Sequence, residues 1–298
     1  MNPEAEDGWR TPSRTTSPTL AAISPQLKVT RCEIAANGVA TVWLHRPERR
    51  NSWTARMNAE YRAVMRVLDA DPAVRAVVVT GTGDSFCVGA DSRALSGYVG
   101  AKSYDPGLPE DAAEPGYGVR DEFDADMVWH YGLRVPVVAA VNGACAGVAV
   151  ALAAFSDVRF AVSGAKVTAA SPRLGLPSEY GLSWVLPRLM GVTHATDFLL
   201  SGRVVDADFL ARAGFFNAVY TKDEFHDAVY AYAGQLAAAS PRAVTLAKRQ
   251  LYTDLLQHDP ALSVRRSKDL TGRMMTTDDY REGVAALVEK RAPAFGPA

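Results

Sequence analysis

Apolar and polar positions along the chain alternate between two periods. Val137–Val141 is a short β-branched apolar run, Asn142-Gly143 is a turn signal, and Ala149–Phe155 is small and apolar enough for a fully buried helix. That stretch predicts strand, tight turn and buried helix, and the rest of the chain is arranged around it. Upstream, 27–34 and 39–44 flank Asn37-Gly38 as a hairpin. Thr54 is placed to cap a helix through about Leu68, with Met57, Tyr61, Val64 and Leu68 on one face. The valine-rich 74–80 reads as a buried strand followed by a glycine-punctuated loop to Asp91. Downstream, 157–162 reads as a strand, and 179–189 has helical spacing with Pro187 bending or ending it. Helices over 192–200, 206–213, 224–238, 262–275 and 278–291 follow, with one more starting at Ser240-Pro241 and a strand at 215–220. The pattern predicts an α/β core over 27–193 and a helical lobe over 194–298.

Two segments carry no periodicity. Residues 1–26 are rich in Thr, Ser, Pro and charge, which predicts a mobile tail; they lack the apolar core of a signal peptide, and Glu4, Glu6 and Asp7 argue against a transit peptide. Residues 92–126 are punctuated by Gly and Pro, which predicts a long functional loop or disorder, and 127–133 reads as a helix leading to Pro136.

Composition narrows the function classes. With 32 basic and 33 acidic residues among 298, the formal charge of -1 gives no field for nucleic acid or an anionic membrane, so an anionic ligand must be held locally. Cys32, Cys87 and Cys145 are odd in number and far apart, which predicts neither a disulfide framework nor a zinc site and makes a reducing cytoplasm the default. No His/Cys spacing suits a metal, and no apolar stretch reaches membrane-spanning length.

The candidate chemistry lies at the central stretch. Gly143 and Gly147 let the backbone turn sharply, and the helix after them begins with unpaired N–H groups at the positive end of its dipole, as half of an oxyanion hole would. Ala140-Val141-Asn142-Gly143, Gly147 and Ser156-Asp157-Val158-Arg159 resemble the crotonase (enoyl-CoA hydratase/isomerase) superfamily pattern A-V-N-G-x-A-x-G-G-G followed by C/S-D-x-R, with Cys145, Val148 and Ala149 as departures. Three more stretches resemble that family in the same order: Arg46-Pro47 to Met57, the 81–91 loop, and 278–291.

The resemblance, over roughly 27–295, implies a crotonase-like ββα superhelix with a C-terminal helical trimerisation lobe, and a homotrimer or homohexamer. It implies an acyl-CoA substrate, coenzyme A entering as part of the thioester, no tightly bound cofactor and no metal. The N–H groups of Ala90 and Val148 become the two oxyanion donors, and Arg49, Arg50, Ser52, Val88, Gly89, Asp91 and Lys290 become CoA contacts. For Arg49, Arg50 and Lys290 the alternative is plain solvated charge. The two glutamates of a hydratase fall in register on Ala151 and Ser171, neither of which can shuttle a proton as a carboxylate does. Glu179 stands where CoA-thioester hydrolases and dehalogenases of the family carry an aspartate; it is either the acid/base or a helix-start charge. His130 and Ser171 are weaker candidates, and Trp184 reads as core. The function implied is an enoyl-CoA hydratase/isomerase-like enzyme stabilising a thioester enolate; the alternatives are a non-catalytic acyl-CoA-binding homologue or a CoA-thioester hydrolase.

Overall fold

The computed structural model describes residues 14–15, 18–92, 115–116 and 118–297. Most of the 92–126 segment, read as a functional loop or disorder, and most of the expected N-terminal tail lie outside these residues.

The described strands form two sheets. The larger has the order β1 (Arg14–Thr15), β2 (Thr30–Ala35), β3 (Val39–Leu44), β4 (Ala76–Gly81), β6 (Val137–Val141), β8 (Val158–Val162) and β11 (Ala218–Tyr220). The smaller has β10 (Val205–Asp206), β9 (Lys166–Thr168), β7 (Ala144–Ala146) and β5 (Ser85–Cys87). The hairpin β2–β3 is antiparallel, as Asn37-Gly38 predicts, and from β3 to β11 the large sheet is parallel. β5, β7 and β9 are parallel to one another. Each of β4, β6 and β8 therefore runs in the large sheet, turns a corner and continues as β5, β7 or β9 in the small one. This is the repeating two-strand unit that the family resemblance implies.

Asn142 bolts two of those corners together. Its amide donates to the carbonyls of Gly81 (2.8 Å) and Gly83 (2.7 Å) and accepts from the Gly81 N–H (3.1 Å). Between and around the sheets, α2 (Ala55–Ala70) lays Met57, Tyr61, Val64, Met65 and Leu68 into the core, and its Thr54 cap accepts from the Met57 N–H. All seven residues of α3 (Val148–Ala154) are buried, which explains why that helix carries only Val, Ala and Leu. The other face of the large sheet, with Val78, Val138 and Phe160, is covered by Phe225, Val229 and Ala233 of α6 (Lys222–Ala238).

The Ser156-Asp157-Val158-Arg159 pattern is a structural lock. Lys248 and Tyr252, on α7 (Pro241–Asp254), reach Asp157 at 2.8 Å each, and the Val137 N–H donates to the same carboxylate at 2.6 Å. Lys248 also donates to the Val135 carbonyl, and Tyr252 stacks on Tyr131 with ring centroids 3.6 Å apart. Arg159 donates to the carbonyls of Phe215 and Ser156, so Lys248 and Asp157 form an ion pair and the Arg159 guanidinium is hydrogen-bonded to backbone.

Several expectations change. Within the expected tail, Pro18–Ile23 forms α1 and Leu20 is buried in the core; one turn of helix is too short for periodicity to reveal. The 127–133 segment is a 3-10 helix, Val128–Gly132, entered through Met127 at φ 64°. The helix read from 179 starts at Leu182 and continues as α4 (Leu182–Ser201) through Pro187, breaking its helical angles at Gly191. Gly191 (φ 71°) separates two helices there, as the readings over 179–189 and 192–200 expect, two residues before the boundary expected near 193. β10, β11 and α6 all lie after it, yet β10 pairs antiparallel with β9, β11 pairs parallel with β8, and α6 covers one face of the large sheet, so both sheets are completed by strands distant in sequence. α5 (Ala207–Arg212) links β10 to β11. Beyond them only α7, α8 (Pro260–Met274) and α9 (Asp278–Glu289) remain, and α8 buries no residue.

Candidate functional site

The three parallel strands of the small sheet end at one edge, and each hands the chain to a candidate residue. Ala90 follows β5 by three positions, Val148 follows β7 by two, and Ser171 follows β9 by three. The C-terminal edge of parallel strands is where open α/β sheets bind ligands.

Backbone geometry fixes the direction of the first N–H. Ala90 forms a parallel bridge with Trp53: the Trp53 N–H donates to Gly89 O (2.8 Å) and the Asp91 N–H donates to Trp53 O (2.9 Å). In that pattern the bridged residue's own N–H points the other way, toward the side where β7 lies. On that side Gly147 approaches closely: a Cβ built on it would stand 3.8 Å from the Gly89 Cα. Gly89 (φ 89°) and Gly147 (φ 55°) each take a left-handed conformation immediately before Ala90 and Val148. Neither the Ala90 nor the Val148 N–H donates to another described residue, and Val148 is the first residue of α3, where unpaired N–H groups are expected.

The third strand leads to a carboxylate. Ser171 is buried, and its hydroxyl donates to Glu179 Oε2 at 2.9 Å. Glu179 is half-buried and lies in a turn three residues before α4, so its charge is not held by that helix's first turn. Ala151 is wholly buried in α3 among apolar neighbours.

The basic loop is partly committed to itself. Asp91 is buried and takes Arg46 (3.1 Å), Arg49 (3.4 Å) and the Ser52 hydroxyl (3.1 Å), while Arg46 also donates to Ser52 O. Asn51 ties the same loop to the carbonyls of Thr82 and Ser85. This clamp holds the segment that carries Val88, Gly89 and Ala90. Arg50 and Lys290 are exposed, and neither side chain has a partner among the described residues.

His130 is fully buried, with its Nε2 2.9 Å from the Tyr61 hydroxyl; burial, aided by the Lys248 charge, pushes it down to about 3, so it is neutral at physiological pH. Trp184 is half-buried with the Arg188 guanidinium 3.9 Å above its ring. Tyr180 adjoins Glu179 at φ 50°. Burial lifts the Cys87 thiol to about 12 and Cys145 well above its usual range, so neither is a thiolate at neutral pH. Among the described residues, no three His, Cys, Asp or Glu side chains gather as a metal set, and no helix is long and apolar enough to cross a membrane. Sequence reasoning missed the Ser171–Glu179 contact and the Trp53 bridge. A polar residue eight positions from a carboxylate gives no periodic signal, and an isolated bridge is a single residue pair.

Known proteins agree with this architecture. The family model described as enoyl-CoA hydratase/isomerase matches residues 34–297. The chain is 32% identical over 290 residues to "Probable enoyl-CoA hydratase EchA12" of Mycobacterium tuberculosis, covering 95% of this chain and 98% of that one. It is 31% identical over 260 residues to "1,2-epoxyphenylacetyl-CoA isomerase" of Escherichia coli, covering 87% and 95%. Among solved structures, a putative enoyl-CoA hydratase/isomerase from Mycobacterium abscessus superposes with a TM-score of 0.77 at 31% identity, over 90% of this chain and all (100%) of that one. A putative enoyl-CoA hydratase from Streptomyces coelicolor A3(2) does so at 0.76 and 28% over 99% of both chains. With its fold and nearly its whole length accounted for, the chain belongs to the enoyl-CoA hydratase/isomerase family.

Proposed function

We propose that this protein binds an acyl-CoA thioester with its carbonyl oxygen between the Ala90 and Val148 N–H groups, and that Glu179 moves a proton between carbons of the acyl chain. The observation that carries this reading is the shared edge of β5, β7 and β9, which supplies two backbone donors without a partner among the described residues and, through Ser171, one carboxylate. Removing a proton next to the thioester builds negative charge on its oxygen. Two preorganised N–H donors stabilise that enolate, and because they are backbone groups, Val in place of Gly at 148 leaves the donor intact. Glu179 then returns the proton at a different carbon, so the double bond shifts.

Hydration by paired carboxylates is disfavoured because Ala151 and Ser171 stand where that chemistry needs glutamates. Coenzyme A is held by Arg50 and Lys290 as exposed cations and by the 88–91 backbone, with Arg49, Ser52 and Asp91 shaping that loop through their mutual bonds. Large apolar side chains left open on α7, α8 and α9, including Leu251, Val264, Leu287 and Val288, support assembly as a trimer or a hexamer of two trimers. The core-plus-lobe division is retained in reduced form, with the lobe as α7 to α9.

The reading is tested by turnover on a panel of 2-enoyl- and 3-enoyl-CoA thioesters in deuterated water. Double-bond migration with exchange of acyl-chain hydrogens is the expected result. Hydration without isomerisation, or release of free CoA, would contradict it; tight acyl-CoA binding with no turnover would point to the non-catalytic alternative.

A further inference from the structure

The contact between Ser171 and Glu179 has no counterpart in the role given to either residue alone. Ser171 stands where the resemblance expects a glutamate, and a serine Oγ occupies the position that Cγ of a longer side chain would take. From that Oγ, Glu179 Oε2 is 2.9 Å away. With χ2 turned toward Glu179, a glutamate at 171 in the same χ1 rotamer carries its carboxylate into the space that the Glu179 carboxylate now fills.

Both residues are held firmly. Ser171 is 2% exposed, so water does not compete for its hydroxyl. Its N–H donates to Ala169 O (2.8 Å), and its carbonyl accepts from the Leu176 N–H (2.9 Å), closing the loop that returns the chain toward Glu179. Each of the two residues adjoins a non-glycine residue in the left-handed region, Ala170 at φ 63° and Tyr180 at φ 50°. Such conformations persist where the surroundings over-determine them, and they concentrate at functional sites.

We infer that Glu179 supplies, from the opposite side of this loop, the carboxylate that position 171 lacks, with Ser171 as the positioning residue that fixes it by a hydrogen bond to Oε2. The inference rests on the proposed role of Glu179 as the acid/base and deepens it. The serine hydroxyl takes one carboxylate oxygen, which leaves Oε1 to carry the proton. It also removes the rotational freedom that a glutamate on a turn otherwise has.

A double-mutant cycle and a swap test this. Ser171→Ala is expected to lower kcat roughly ten-fold with KM little changed, as loss of a hydrogen bond to a charged group implies. On a Glu179→Gln background the same change is expected to have no further effect, because Ser171 acts through the carboxylate. The swap Ser171→Glu with Glu179→Ser is expected to recover at least ten-fold over Glu179→Ser alone. Equal loss from Ser171→Ala on both backgrounds, or a swap no better than Glu179→Ser, would overturn the inference. Wild-type turnover by Glu179→Gln would instead overturn the underlying assignment of the acid/base, a distinguishable outcome. Should no thioester be turned over, denaturation midpoints of Ser171→Ala, Glu179→Ala and their double variant decide: coupling supports the contact, and additivity refutes it.

Discussion

Replacing Gly89 by Ala probes the geometry on which the proposed oxyanion site depends. Gly89 sits at φ 89°, and a Cβ there would come 3.1 Å from the carbonyl oxygen of Ala146. The left-handed conformation alone costs an alanine about 1–2 kcal/mol. The contact adds about 1–2 kcal/mol more, since the neighbour is backbone rather than a flexible side chain. Ala146 cannot recede freely, because β7 is paired with β5 on one side and with β9 on the other, in register with Thr168. The strain must therefore move Ala90, the residue after Gly89, or Val148, two residues after Ala146. A displacement of a few tenths of an ångström at preorganised donors is expected to lower kcat/KM roughly ten-fold or more. Gly164→Ala is the control: it sits at φ 77° with nothing within 4 Å of its Cβ, so it carries the conformational cost without the contact. Urea denaturation and steady-state kinetics of the two variants separate the effects. Equal stability loss in both, with wild-type kinetics for Gly89→Ala, would refute the argument.

Two further outcomes follow from buried polar groups. Lys248→Met removes one partner of a buried pair and leaves Asp157 with only the Tyr252 hydroxyl and the Val137 N–H, so stability in urea is expected to fall by about 3 kcal/mol; a loss below about 1 kcal/mol would show that the lock holds little. His130 is held at about 3 in the fold but returns to about 6.5 when unfolded, so its contribution is complete above pH ~6.5 and erodes as pH falls toward ~3. His130→Asn should flatten the fall in stability between pH 6.5 and 4, measured by urea titration at several pH values, and an unchanged slope would contradict this.

The sequence made the large sheet legible because its strands, 39–44, 76–81, 137–141 and 158–162, are runs of β-branched and apolar residues long enough to show a pattern. The small sheet was not legible. β5, β7 and β9 are three residues each; the first two fall in stretches read as loop and turn and the third carries no reading, because pairing rather than propensity makes them strands. The candidate site is divided in the same way. Ala90 and Val148 were found through glycine spacing and family resemblance, since backbone donors leave no side-chain signature. Glu179 was found by register, but its partner Ser171 was not, because the loop that joins them turns through Ala170 and Tyr180 in conformations no residue preference announces. Asp157 and Arg159 were visible as a motif whose role, locking α7 to the core, needed Lys248 from ninety-one residues away.

The most direct test of the account is the Glu179→Gln variant, assayed for enoyl-CoA turnover and, separately, for acyl-CoA affinity. The amide keeps the volume of the side chain and can still accept from Ser171, while losing the ability to take up a proton. Turnover is expected to fall on the order of 100- to 10,000-fold with affinity nearly unchanged, since the thioester and coenzyme A are held by other groups. Wild-type turnover by this variant would contradict the central claim that Glu179 carries the proton.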